Sequence, residues 1–312
     1  MPRHSQSSVF QLSNGIHSLA VAPIAGGSVA SWRLHQLPWS GAPFSTPLDI
    51  WRPGSLTSRE AISMASMPLL PWCNRISQGG FKSGQGFHSL TPNLSGEVLP
   101  IHGDGFLQAW HVTHVNSNAM RLQLLSQCFH GNPHAYIAEQ AIELVKDGMH
   151  HTLRLEHLGK HPLPYGIGQH PWFLNQTATR LQADVTGMWL CDSQVLPTVH
   201  TQVFEPDKDV RHSVSTSGSL IDNLYDGWNG QACIDYPVHH LKLSLKADLT
   251  VGGDNKPCYL MVYRPPHANI FCIEPVSHPV DAFNQPGQPG LHWLNQGESM
   301  CMQLTWRFMP MT

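Results

Sequence analysis

From Leu241 to Thr250 the chain alternates without a break, Leu241, Leu243, Leu245, Ala247 and Leu249 interleaving with Lys242, Ser244, Lys246, Asp248 and Thr250. Successive side chains of an extended strand point to opposite faces, so this stretch has one apolar and one polar face and reads as a half-buried antiparallel strand. The same period of two returns near the C-terminus, where Met300, Met302, Leu304, Trp306 and Phe308 interleave with Cys301, Gln303, Thr305 and Arg307. Asn14-Gly15 follows Phe10-Gln-Leu, and Asp147-Gly148 separates residues 141–146 from 151–158. Both dipeptides tolerate the positive φ of tight hairpin turns. Helical periodicity is confined to Ser58 to Met67, where Ser58 caps a short helix that Pro68 stops. These signals predict an all-β chain with few short helices, its many strands packed as a sandwich or barrel.

The 25 Pro and 26 Gly are scattered, with no fixed-period repeat. The Pro/Gly-rich residues 285–290 precede another alternating strand and read as a loop within a sheet, so a single domain over residues 1–312 is expected. Charged residues make up 12% of the chain, about half of the ~25% usual in soluble proteins. With 18 Lys+Arg against 21 Asp+Glu the formal net charge is −3, and no basic run offers a phosphate backbone a cationic track. Nucleic acid is not an expected partner. No apolar core of a signal peptide opens the sequence and no long apolar run suggests a membrane span, so a soluble cytoplasmic protein is expected. The seven cysteines are odd in number and form no C-x-x-C pair, which predicts reduced, mostly buried thiols.

Chemistry concentrates in five segments: Pro71 to Ile76, Ile101 to Gly103, Tyr165 to Phe173, Ile221 to Tyr225, and Ile273 to Asn284. In Gly166-x-Gly168-x-His170-Pro171 the glycines permit close backbone approach, and Pro171, which cannot donate to a ladder, predicts that His170 sits at a strand end facing a cleft. Its imidazole titrates near ~6.5 when unperturbed and can exchange protons at neutral pH. Glu274 ends the apolar run Ile270 to Ile273, a costly position for a carboxylate unless it is paired or used. Arg75 offers either that pairing or a fork of donors for substrate hydroxyls. His102 and Asp222 lie in common turn dipeptides and carry weaker signals. Trp72, Trp110, Trp172 and Trp228 have faces suited to a sugar ring, but aromatic residues are more often core, so none is taken as a site residue. The closely spaced histidines, such as His130/His134 and His157/His161, lie in segments without helical periodicity, and no metal site is expected from them. Phosphate-cradling, dinucleotide-binding and nucleophile-elbow motifs are absent from the sequence.

Taken in order, Asn74-Arg75-Ile76, His102-Gly103, His170-Pro-Trp-Phe173, the Asp of Ile221-Asp-Asn, and Glu274-Pro with Asp281-Ala-Phe-Asn284 resemble the signature segments of the aldose 1-epimerase (galactose mutarotase) family. The resemblance implies a large antiparallel β-sandwich, the galactose mutarotase-like supersandwich, acting on a small-molecule sugar as monomer or homodimer without metal or organic cofactor. It implies Glu274 as the base for the anomeric hydroxyl and His170 as the acid for the ring oxygen. Asn74, Arg75 and His102 become sugar contacts, and Asp222, with Asp226 as the alternative, a hydroxyl acceptor. Trp172 stands where many relatives carry Tyr, which bears on the substrate more than on the reaction. Two other readings compete with a free-aldose epimerase. One is a hexose 6-phosphate epimerase, for which Arg33, Arg52, Lys82 and Arg264 are scattered cations. The other is a catalytically silent sugar-binding protein.

Overall fold

The computed structural model describes residues 9–311. Two large antiparallel sheets dominate it, of 11 and 10 strands. The alternating segments are long strands of the second sheet: Leu241–Val251 and Ser299–Pro310 pair along their full length, with the apolar set of each buried. The Asn-Gly hairpin joins Phe10–Ser13 to His17–Ala22, and the Asp-Gly hairpin joins Ala135–Val145 to Gly148–His157. Residues 285–290 are a loop leading into the short strand His292–Leu294.

Trp306 lies at the meeting of the sheets. Its ring centroid is 5.8 Å from those of Trp51 and Phe173 and 6.3 Å from that of Trp32, all three on the first sheet. Because side chains alternate along a strand, Phe173 facing this core turns His170 and Trp172 to the opposite face of the first sheet. Phe271, stacked on Phe173 at 5.2 Å, does the same for Cys272 and Glu274 on the neighbouring strand. The fold thereby separates an apolar interior from an outer face able to carry polar groups.

Three expectations need correction. The Ser58–Met67 helix is only a 3-10 turn at Ala61–Ser63, after which Ser66–Leu69 is a strand between Gly168–Leu174 and Ser28–Gln36. Burial of all four residues of that strand erased the alternation that would have revealed it. His170 lies inside the Gly168–Leu174 strand, not at its end, and Pro171 is accommodated where the pairing to Ile270–Val276 is interrupted opposite residues 273–275. Finally, all seven cysteines are free, but only Cys73, Cys258 and Cys272 are buried, and Cys128 is exposed.

Candidate active site

Strand register assembles the centre of the site. Gly168 pairs with Val276 and Trp172 with Cys272, so His170 and Glu274 are the opposed residues between those rungs. The rows continue sideways, Glu274 beside Met261 and Leu224, and Cys272 beside Tyr263 and Asp222. His170 Nε2 and Glu274 Oε1 are 3.3 Å apart. Both residues are buried, at 6% and 3% exposure, and His170 Nδ1 and Glu274 Oε2 have no hydrogen-bond partner among the described residues. Above them is a cavity of about 200 Å³ lined also by Asn74, Arg75, Glu97, His102, Trp172, Asp222, Met261 and Tyr263.

Two loops supply the wall. Asn74 and His102 both adopt positive φ and clasp each other: His102 N–H donates to the Asn74 carbonyl at 3.0 Å, and Asn74 N–H to His102 Nδ1 at 3.1 Å. With Nδ1 accepting, a neutral His102 carries its proton on Nε2 and is a donor. Asn93 fixes the same loop, its side chain donating to the carbonyls of Ile101 and Gly103 and accepting from Ile101 N–H. Gly103 is required here, since at φ +73° an added Cβ would lie 2.0 Å from the Leu70 carbonyl oxygen. The Arg75 loop is held from behind by Asp281, which accepts from Ser77 N–H and Oγ at 2.8 and 2.7 Å, while Asp281 N–H donates to the Arg75 carbonyl.

Arg75 donates a bidentate fork to Glu97, Nε to Oε2 at 3.1 Å and Nη2 to Oε1 at 2.9 Å. It is therefore not the hydrogen-bonded partner of Glu274. On the other side of the floor, the His170 ring stacks on Trp172 at 5.0 Å and 21°. The Arg52 guanidinium lies 4.5 Å from the Trp172 ring centre, anchored by bonds to the carbonyls of Ile62 and Met64. The stack fixes the plane of the imidazole.

Burial drives both central groups toward their neutral forms. It lowers the His170 pKa to about 3, with Arg52 adding to the shift, and raises that of Glu274 well above the carboxylate range, with Asp222 adding and Arg75 opposing. Burial also raises Asp222 to about 6 against the pull of Arg75, and holds His102 well below its ordinary value. Both shifts favour a neutral imidazole beside a protonated carboxyl, a pair that holds one proton between two groups and turns one donor and one acceptor to the same small cavity.

Every residue singled out in the sequence for chemistry, Glu274, His170, Asn74, Arg75, His102 and Asp222, lines this cavity. Asp226 does not, and instead meets His200 at 2.8 Å. The Asp281 to Asn284 segment braces the Arg75 loop and is not part of the lining. Sequence reasoning missed Glu97, Tyr263, Trp172 as a wall, and Cys272 one rung from Glu274 on the same face. The Ile270–Val276 run carried a signal for Cys272, because its period of two puts residues 272 and 274 on one face.

The family model described as aldose 1-epimerase matches residues 8–305. The uncharacterized Escherichia coli K12 protein YphB is 29% identical over 306 residues, spanning 96% of this chain and 98% of its own. A crystal structure of a candidate aldose 1-epimerase from Escherichia coli K12 superposes with a TM-score of 0.84 at 26% identity, covering 97% of this chain and 99% of that one. A galactose mutarotase-like protein from Clostridium acetobutylicum gives 0.78 at 18% identity over 97% and 95%, a likeness of fold.

Proposed function

The chain belongs to the aldose 1-epimerase family, and from that premise we propose that it acts as a single domain interconverting the α and β anomers of a free aldose. The observation that carries this reading is the opposition of His170 and Glu274 at 3.3 Å on adjacent strands beneath a sugar-sized cavity. In the productive form the shared proton is on His170. Glu274 takes the anomeric hydroxyl proton, the carbonyl forms at C1, the C1–O5 bond breaks, and His170 protonates the ring oxygen. Rotation about C1–C2 presents the other carbonyl face, and reclosure with both protons reversed gives the other anomer. His102 and Arg75 donate to sugar oxygens and stabilise charge developing during opening, Asn74 adds a polar contact, and Asp222 accepts from a hydroxyl.

The charge of the cavity favours an unphosphorylated sugar. Its one lining cation, Arg75, is bound by Glu97, and Asp222 and Glu274 add two further carboxyl groups. Arg33 is paired with Asp49, and buried Arg264 with Asp207. Arg33, Arg52, Lys82 and Arg264 are all outside the cavity lining. A phosphate dianion entering there finds no unpaired cation among the lining residues and meets like charge.

Polarimetry or NMR of freshly dissolved α-anomers tests the reading. Acceleration is expected for at least one of galactose, glucose and related aldoses, with the 6-phosphate turned over at least about tenfold more slowly. Failure to accelerate any member of a broad aldose panel contradicts the proposed activity.

A further inference from the structure

Cys272 is one rung from Glu274 on the same strand and the same face. A nitrogen of His170, the Cys272 sulfur and a Glu274 carboxylate oxygen all lie within 4.8 Å of one another. All three residues are buried, and the second carboxylate oxygen of Glu274 has no hydrogen-bond partner among the described residues. Tetrahedral zinc, with bonds of about 2.0–2.3 Å to nitrogen, oxygen and thiolate, needs ligand–ligand edges of about 3.3–3.7 Å. The nitrogen–oxygen edge is already 3.3 Å. A contraction of at most about 1.1 Å brings the sulfur to the upper end of that range, within the reach of a side-chain rotation.

We propose that His170, Cys272 and Glu274 form an inhibitory site for a thiophilic divalent cation of the zinc class, with the fourth position open to the cavity. The mixed nitrogen, sulfur and oxygen donors select zinc or cadmium over magnesium or calcium, which prefer all-oxygen shells. The three residues come from two strands separated in sequence by about a hundred positions, so no spacing motif reveals them. This cation is not a cofactor, because it occupies the same nitrogen and oxygen that the proposed reaction uses to move protons. Binding balances as one cation taken up, the thiol proton and the shared His170–Glu274 proton released, and a water or sugar hydroxyl at the fourth position. Cation binding stands independently of the proposed reaction, whereas loss of activity rests on it.

The test is titration of the full chain with zinc and with cadmium. Calorimetry in buffers of different ionisation enthalpy counts released protons, and ultraviolet absorption follows the cadmium–thiolate band. The expected result is one tight equivalent, release of at least the thiol proton, a thiolate band, and no response to magnesium. Cys272→Ser is expected to weaken binding at least about tenfold and remove the band, while Cys128→Ser, which removes the exposed thiol, leaves both unchanged. His170→Gln provides a second variant that keeps the thiol and is expected to weaken the site similarly. No uptake by the wild-type chain, or unchanged affinity and band in Cys272→Ser, overturns the proposal. Uptake with no sugar accelerated by the metal-free protein refutes the proposed reaction and leaves the cation site standing.

Discussion

At the scale of single residues, the site works by burial more than by charge pairing. Among the described residues neither Glu274 nor His170 has a polar side-chain partner other than the other, and burial pushes them toward a neutral pair holding one proton. Protonation state therefore changes only when the pair gains a second proton, near pH 3 where His170 titrates, or loses its single one, well above the ordinary carboxylate range. The kcat for anomer exchange, after subtracting the spontaneous rate, is expected to stay flat from about pH 6.5 down to about 5. An inflection in kcat near 6.5, where an unperturbed histidine titrates, contradicts this. Asp222 behaves differently: its pKa of about 6 means that it loses its accepting charge as pH falls below that value. KM is expected to rise below about pH 6 in the wild type, and Asp222→Asn to flatten that rise. The sequence made the identities of these groups legible, since a carboxylate ending an apolar run and a histidine beside glycines and proline are unusual placements. It did not make Glu97 legible, because an exposed loop contains no local sign of which arginine will reach it.

At the scale of elements, the strand rows do the positioning. Gly168 allows the His170 strand to pass close to its neighbours, and a Cβ added there would lie 2.8 Å from Cys73 Sγ and from the Pro275 carbonyl oxygen. Gly168→Ala is therefore expected to destabilise the fold by about 1–3 kcal/mol, as overpacking does, and to lower kcat by displacing His170 relative to Glu274. Denaturant melts together with turnover check it, and an unchanged midpoint counts against the close approach. The strands of the second sheet were readable because each has one wet face, as in Leu241–Val251. Ser66–Leu69 and the centre of Gly168–Leu174 were not, because they are covered on both faces and carry prolines that a sequence reading assigns to strand ends. Tertiary pairing overrides the local signal there, and it does so at the site itself.

At the scale of the whole molecule, burial of so many histidines sets the response to acid. His134 and His170 are lowered to about 3, His151 and His278 to about 4, and His17 and His102 are also lowered, all chiefly by burial. The unfolded chain protonates these groups near ~6.5 while the folded chain does not, so each removes up to ~1.4 kcal/mol of stability per pH unit as pH falls below that value. Asp104 and Asp222, raised to about 6, and Glu274, also raised, act in the opposite sense, since the folded state binds their protons first. The histidines outnumber them, so Tm is expected to fall between about pH 6.5 and 4.5, and a Tm maximum near pH 5 contradicts the balance. The two sheets are joined through Trp306, and Trp306→Ala is expected to cost about 3–5 kcal/mol in a denaturant melt. The central claim is that this molecule opens and recloses a sugar ring with Glu274 and His170 exchanging protons across 3.3 Å. Its most direct measurement is NMR exchange between the α and β anomers of the preferred aldose, with wild type, Glu274→Gln and His170→Gln at equal folded concentration. Each variant is expected to lose about 10²–10⁴ of the catalysed rate while still binding the sugar; wild-type exchange rates in either variant would contradict the account.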